Sequence, residues 1–220
     1  MTNTAGYQPL QIGSLSLPNN IIYAPLAGCS DFPFRQMLRL FHDGLIFCEM
    51  VKAEAVLHRN QETLSFLDFS ENMHPIGAQL CGSKPALVPQ AALFLQERGF
   101  DVIDFNCGCP VDKVIKDGSG SAMLKNLPLL REILTELVAA VKVPVTLKIR
   151  IGWDDKSIVI PEVIAIAEET GIKAVTIHGR TRQQGYRGLA DRQQIKVAKE
   201  LAKTVKIIGN GDIFDPISAE

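Results

Sequence analysis

Short apolar runs alternate with amphipathic stretches along nearly the whole of this chain of 220 residues. The runs are rich in Ile, Val and Leu and end in glycine or polar residues, which is typical of buried strands. We predict strands at residues 21–24, 45–50, 76–80, 102–105, 145–149, 174–178 and 205–208. Apolar residues spaced three and four positions apart predict helices between these strands. The first is capped by Asp31 and runs to Phe41, and the second is capped by Ser83 and stops at Gly99. The others lie at 130–141, before an end at Gly171, and at 190–203.

Strands that alternate with helices indicate a parallel sheet, and polar residues directly after each strand favour a (β/α)₈ TIM barrel. An open doubly wound sheet is less favoured, because the strand at 21–24 is not followed by the sequence G-x-G-x-x-G. Residues 1–20 contain the turn formers Gly6, Pro9, Gly13 and Pro18, and we expect them to form a short hairpin that plugs one end of the barrel.

Only seven strands are predicted, whereas a closed barrel of this class needs eight. A barrel of seven strands would leave unpaired backbone groups along its open edges. We therefore expect residues 1–220 to be a single catalytic barrel domain that is truncated after strand seven.

The composition of the chain bears on whether its partner is a nucleic acid or a membrane. The chain is 46% hydrophobic and 21% charged, with a net charge of −1, so it is globular and has no overall attraction to nucleic acid. A nucleic-acid site would have to be a local basic patch. No apolar run approaches the roughly 20 residues of a membrane span. An odd count of five cysteines without a secretory signal indicates free thiols and a cytoplasmic location.

The sequence D-F-N-C-G-C-P at residues 104–110 is the centre of the predicted chemistry, because it ends a buried strand where barrel enzymes place their active sites. Gly108 permits a close approach of the backbone, and Pro110 stiffens the turn. A zinc site is disfavoured, since C-x-C has no second ligand pair. Strand alternation does not decide between Cys107 and Cys109, whereas the remaining cysteines fit small core residues.

Other strand ends carry residues that suit a flavin. Lys148 ends a mostly apolar strand, so its charge needs a partner, either an anionic reduced flavin ring or a carboxylate such as Asp104 or Glu49. Gln79 either bonds the pyrimidine edge of the flavin or is a satisfied interior amide. The sequences H-G-R at 178–180 and N-G-D at 210–212 suit a flavin or its phosphate, although a structural histidine and an ordinary capped turn are the alternatives.

Basic residues follow two of the predicted strands and would surround the mouth of the barrel. They suit a nucleic-acid backbone as a group, although each of them is equally compatible with a solvated loop charge. The residues are Lys113, Lys116, Arg180, Arg182 and Arg187.

Six blocks of sequence, in order, resemble the tRNA-dihydrouridine synthases, and the first is most similar to the bacterial B-type subgroup. They are A-P-L-A-G-C-S-D-F-P-F-R (24–35), N-C-G-C-P-V-D-K-V (106–114), G-S-G-S-A-M-L (118–124), L-K-I-R-I-G-W (147–153), H-G-R-T-R (178–182) and N-G-D-I (210–213). The resemblance implies an FMN-dependent TIM barrel that uses NADPH to reduce uridines in tRNA, acts as a monomer at full length, and continues into an eighth strand and a helical tRNA-binding domain.

The same resemblance implies roles for individual residues. The flavin would contact Pro25, Leu26, Ala27, Gln79, Lys148, His178, Asn210, Gly211 and Asp212. The substrate would contact Asn106, Lys113, Lys116, Arg180 and Arg182. Cys109 would be the proton donor, and an ordinary thiol is mostly protonated at neutral pH, as an acid must be.

Two other functions remain open at the level of the sequence. A flavin reductase acting on a small molecule such as a free pyrimidine would share Lys148 and the phosphate turn but would not need a basic rim. An RNA-binding module without a flavin would need only the rim. Activity on free uridine compared with tRNA tests the first alternative, and flavin absorbance tests the second.

Overall fold

The computed structural model describes residues 7–219. A short antiparallel hairpin comes first, and a parallel sheet of six strands, which lie side by side in chain order, follows it in the described residues. The strands are β1 (Leu10–Ile12), β2 (Leu15–Leu17), β3 (Ile46–Lys52), β4 (Ile76–Cys81), β5 (Val102–Cys107), β6 (Val145–Arg150), β7 (Ala174–His178) and β8 (Lys206–Asn210). The sequential order, with each strand beside the next, is that of a (β/α)₈ barrel and confirms the predicted fold class.

Helices connect successive strands of the sheet, and one further helix precedes β3 and another follows β8. They are α1 (Phe32–Leu38), α2 (Ala53–Leu57), α3 (Gln61–Ser65), α4 (Val88–Glu97), α5 (Asp112–Ile115), α6 (Leu127–Ala140), α7 (Ile160–Thr170), α8 (Arg192–Leu201) and α9 (Pro216–Ala219). Two expected ends are confirmed: the side chain of Asp31 caps α1 by accepting a bond from the Phe34 N–H (3.0 Å), and Gly171 ends α7 with a φ of 83°.

Two sequence predictions are wrong in detail. The strand expected at 21–24 is reduced to a parallel bridge between Tyr23 and Ile46, because Pro25 follows directly and has no N–H with which to extend the ladder. The described part of the chain therefore supplies six parallel strands and this bridge, rather than seven strands. Ser83 does not cap α4, which begins five residues later with Leu87 at its N-cap, after a turn that starts at Lys84 and Pro85.

The hairpin closes the N-terminal end of the barrel, as predicted. Ile12 and Leu17 pack in one buried apolar cluster with residues from the starts of the strands: Leu45, Phe47, Val102 and Ala174. Gly77 is required in this layer, since a Cβ there would lie only 2.2 Å from the ring of Phe47. The interior of the barrel at this end is therefore filled by apolar side chains.

The opposite faces of the strands pack against the helices in a second, larger cluster. It takes alternate residues of each strand, for example Ile103, Phe105 and Cys107 of β5. The intervening residues of the same strand, Asp104 and Asn106, point the other way, into the barrel. Strand alternation thus separates Cys107 from the polar interior.

Candidate active site at the C-terminal ends of the strands

A pocket opens at the C-terminal ends of the strands, where the register of the parallel sheet places polar residues side by side. Gln79 pairs with Asp104 across β4 and β5, and Asn106 pairs with Lys148 across β5 and β6. The pocket is lined by Ile22, Ala24, Pro25, Phe47, Asp104, Lys148, Thr176, Ile208, Gly209 and Asn210. Pro25, Lys148 and Asn210 were expected from the sequence to lie at a cofactor site, and the fold brings these three together.

Asp104 is a buried carboxylate that is fully engaged by neighbouring side chains. Its Oδ2 accepts a bond from Nε2 of Gln79 (2.6 Å), and its Oδ1 accepts one from the hydroxyl of Thr146 (2.5 Å). Burial raises the pKa of Asp104 to about 6, against the opposing effects of these two bonds and of the nearby Lys148. The carboxylate is therefore largely ionised at neutral pH.

Asn106 connects this buried network to the loop that carries Cys109. Its Nδ2 donates to Oε1 of Gln79 (2.9 Å), while its Oδ1 accepts bonds from the backbone N–H groups of Gly108 (3.1 Å) and Cys109 (2.9 Å). Asn106 thus shapes the turn that follows β5, in the manner of an Asx turn.

The two cysteines of this turn differ in their surroundings. Cys107 is fully buried on the helix side of β5, and burial raises its pKa well above the ordinary range, so it is a poor source of a proton. Cys109 is partly exposed beyond the end of the strand, and its carbonyl accepts a bond from the Ser121 N–H (3.0 Å). Gly120 permits this contact, because a Cβ there would lie 2.8 Å from the carbonyl oxygen of Cys109.

Lys148 is half-buried in the pocket and has no carboxylate partner in the part of the chain that the structure describes. Its Nζ donates to Oδ1 of Asn210 (3.1 Å), and no carboxylate among residues 7–219 lies within 4.0 Å of it, so the ion pair with Asp104 or Glu49 that the sequence left open is not formed. Burial lowers the pKa of Lys148 to about 8, while the charge of Asp104 acts in the opposite direction. The pocket therefore contains a positive charge that an anionic ligand would stabilise.

The loop at residues 25–30 follows the bridge at Tyr23 and reaches the pocket at its first residue. Pro25 lines the pocket, whereas Leu26 is 46% exposed and Ala27 is also exposed. The buried carboxylate of Glu49 holds this loop by accepting a bond from the Gly28 N–H (2.7 Å). Gly28 has a φ of 76°, which glycine adopts without strain.

Arg150 is a buried residue at the site that was not among the site residues expected from the sequence. It donates to the carbonyls of Gly108 (3.0 Å), Thr181 (2.9 Å) and Gly185 (2.8 Å), and so joins the cysteine turn to the loop after β7. The signal was present in the sequence: Arg150 lies two positions after Lys148, and strand alternation directs both side chains to the same face.

The loop after β7 and the end of β8 meet at a buried ion pair. Arg180 is 6% exposed and donates to Oδ1 of Asp212 (2.6 Å) and to the carbonyl of Gly188 (2.8 Å). Asp212 also accepts the Ala190 N–H (2.7 Å). Burial and the charges of neighbouring cations lower the pKa of His178 to about 3, so this imidazole is neutral at physiological pH.

The expected basic rim is only partly assembled. Lys113 and Lys116 are exposed on and after α5, as predicted for a rim. Arg182 lies 4.8 Å from the centre of the Trp153 ring and bonds to Asp112 (2.8 Å), so it is only partly available. The placement of Arg180 on the rim is wrong, because its guanidinium is buried in the ion pair with Asp212. Gly211 and Asp212 adjoin His178 at the end of β8.

The sequence of this chain matches one protein family over most of its length. A family model described as "Dihydrouridine synthase (Dus)" matches residues 22–220. The chain belongs to the dihydrouridine synthase family. It is 40% identical over 205 residues to a probable tRNA-dihydrouridine synthase of Rickettsia bellii, covering 93% of this chain and 63% of that protein. It is also 40% identical over 210 residues to tRNA-dihydrouridine synthase B of Pseudomonas aeruginosa, covering 96% and 63% of the two chains.

The chain spans about three fifths of the length of these curated relatives. Among solved structures, the old yellow enzyme homologue of Zymomonas mobilis is similar with a TM-score of 0.62 at 14% identity, covering 97% of this chain and 83% of that one. Morphinone reductase is similar with a TM-score of 0.57 at 15% identity, covering 99% and 90% of the two chains. At this level of identity the likeness concerns the barrel fold alone. None of the helices at residues 7–219 is long and apolar enough to cross a membrane.

Proposed function

We propose that this dihydrouridine synthase family member binds FMN in the pocket at the strand ends, is reduced by NADPH, and converts uridines in tRNA to dihydrouridine in the cytoplasm. The observation that carries the proposal is the arrangement of Lys148 and Cys109. Among residues 7–219 the positive charge of Lys148 has no carboxylate partner inside the pocket, and the partly exposed thiol of Cys109 lies near enough to Lys148 to interact with its charge. The first suits an anionic ring, and the second suits a proton donor.

The residues at the pocket fit a flavin. Pro25 and Ala24 supply an apolar wall, and Lys148 and Asn210 supply hydrogen-bonding groups. The expected contact with Gln79 is not supported in the same way, because Gln79 does not line the pocket and both ends of its carboxamide are bonded to Asp104 and Asn106. Neutral His178 and the backbone turn at residues 210–212 adjoin the same pocket, where barrels commonly bind phosphate. When bound and reduced, FMN would supply the hydride that is added to C6 of uracil.

The chain itself would supply the proton. Saturation of the C5–C6 double bond requires a hydride at C6 and a proton at C5, and the thiol of Cys109 would donate that proton. The resulting thiolate regains a proton from solvent, so the net change is the addition of two hydrogens to the base. Cys107 is fully buried on the helix side of β5, so Cys109 is the cysteine of this turn that a base could reach.

Lys148 would stabilise the negative charge that develops on the reduced ring, which is an electrostatic effect of a preformed site. Asn106 would lie between the ring and the base. The target uridine would have to leave its stack to reach the pocket, and the exposed Lys113 and Lys116 would contact the RNA backbone beside it.

The test is turnover of two substrates by the flavin-loaded chain. Unmodified tRNA or free uridine is incubated with NADPH, and dihydrouridine is measured by mass spectrometry of the nucleosides. We expect product from tRNA and none above background from free uridine. Faster reduction of free uridine would instead favour a small-molecule reductase, and absence of flavin absorbance after incubation with FMN would contradict both functions.

A further inference from the structure

A chain of side-chain hydrogen bonds with a fixed direction runs from the barrel interior to Cys109. The carboxylate of Asp104 accepts from Nε2 of Gln79 (2.6 Å), and Oε1 of Gln79 accepts from Nδ2 of Asn106 (2.9 Å). Oδ1 of Asn106 is thereby left to accept the N–H groups of Gly108 (3.1 Å) and Cys109 (2.9 Å). Each bond in the chain sets the orientation of the next carboxamide.

Asp104 fixes the direction of this chain at its buried end. A carboxamide can be turned by half a revolution at little steric cost, which exchanges its donor and its acceptor, whereas an ionised carboxylate can only accept. If Gln79 were reversed, its oxygen would face the carboxylate, and Asn106 would reverse in turn. Two backbone N–H groups would then face the donor end of Asn106. The participants are 2–7% exposed, so water does not readily replace a lost bond.

We propose that Asp104 is a positioning residue, which orients the carboxamides of Gln79 and Asn106 so that Asn106 holds the backbone of Cys109 in place. Its significance for catalysis rests on the proposed function, in which Cys109 must reach C5 of the base. The positioning itself is a property of the chain without flavin or RNA. The pKa of about 6 supports it, since Asp104 is then ionised at neutral pH.

Thr146 provides a means to separate the acceptor role of Asp104 from its volume. Its hydroxyl donates to the other carboxylate oxygen (2.5 Å), but a hydroxyl can also accept. In Asp104→Asn the new amide group can donate to Thr146, and the remaining oxygen can still accept from Gln79. In Asp104→Asn combined with Thr146→Val, the amide has no acceptor on that side, and turning it towards Gln79 reverses the chain.

The experiment is amide hydrogen exchange of the chain without cofactor at pH 7.5, followed by mass spectrometry with fragmentation that resolves Gly108 and Cys109. We expect exchange at these two amides to be about tenfold faster in Asp104→Leu and in the double variant, as for the loss of about one hydrogen bond. Asp104→Asn and Thr146→Val alone should exchange within about threefold of the parent, which makes the double variant markedly non-additive.

If Asp104→Leu fails to melt cooperatively, amide exchange in the double variant is compared with exchange in its two single variants instead. Parent-like exchange in the double variant, or equal acceleration in Asp104→Asn and Asp104→Leu, would show that Asp104 does not orient the chain. Because exchange needs neither flavin nor tRNA, a failure of the proposed function would leave this result unaffected.

Discussion

The two ends of the barrel are built from the same strands but contain opposite kinds of side chain. On β5, Val102 points into the apolar plug at the N-terminal end, and Asp104 and Asn106, two and four residues later on the same face, belong to the polar pocket. The hairpin at residues 10–17 fills the first end, whereas the second remains open to solvent. Packing at the plugged end thus stabilises the fold, whereas the buried charge of Lys148 at the open end destabilises it.

The largest expected effect on stability is at the plugged end. Ile12→Ala should lower the free energy of unfolding by about 2–5 kcal/mol, because it removes a fully buried side chain from a packed layer. Denaturant titration measures the change. Gln11→Ala on the exposed side of the same strand is the matched control and should change stability by less than about 1 kcal/mol. Similar values for the two variants would mean that the hairpin does not plug the barrel.

At the open end, removal of a charge should affect binding rather than weaken the fold. Lys148→Met should raise the Kd for FMN by about tenfold or more, the scale of one charge-assisted contact. Stability without FMN should be unchanged or higher, because burial of the cation disfavours folding. Fluorescence titration and denaturant titration measure the two quantities. An unchanged Kd would exclude Lys148 from the flavin site.

The same variant gives a prediction about pH. The pKa of Lys148 is about 8 in the folded chain and 10.5 ordinarily, so between these values the unfolded state binds more protons and folding improves as pH rises. The stability advantage of Lys148→Met should therefore be greatest below about pH 8 and should shrink towards pH 10.5. Denaturant titration of both proteins at pH 7 and 10 tests this. An advantage that grows with pH would mean that the lysine is stabilised as a cation.

A smaller change in stability is expected when the carboxylate of Glu168, which lies at the plugged end, is removed. Burial opposes ionisation of Glu168, but bonds from Thr204 and from the backbone N–H groups of residues 203–205 outweigh it and lower its pKa to about 2. Glu168→Gln should cost about 1 kcal/mol at pH 7, and the difference should disappear as pH falls below the ordinary 4.5 towards 2.

Glu169→Gln is the control for this prediction, because its carboxylate pairs with Arg131 on an exposed surface. Exposed pairs of this kind contribute roughly 0–1 kcal/mol. Melting curves of both variants at pH 7 and 3 distinguish them. An equal loss of stability at both positions would show that the three backbone bonds to Glu168 add nothing.

Periodicity was sufficient to predict the six strands of the sheet and the polar residues at their ends, because burial on two faces and the turn after each strand are local properties of sequence. It failed for the strand at 21–24 and for the helix cap at Ser83, because Pro25 interrupts the strand ladder and Pro85 lies in a turn before the helix begins. The sequence could not place Arg180, since a cation on a loop is exposed unless a distant carboxylate reaches it. Asp212, 32 residues away, does so here. The sequence did not show where β5 ends, and the structure places Cys107 inside that strand and Cys109 beyond it.

The proposed role of Cys109 as the acid at the open end is tested most directly by comparing Cys109→Ala with Cys107→Ala. Both variants, loaded with FMN, are given NADPH and unmodified tRNA, and flavin reduction and dihydrouridine are measured separately. We expect Cys109→Ala to be reduced normally but to form product about 10²-fold more slowly or worse, the usual size for a general acid, while Cys107→Ala forms product at close to the parent rate. A loss confined to Cys107→Ala, with Cys109→Ala fully active, would contradict the account.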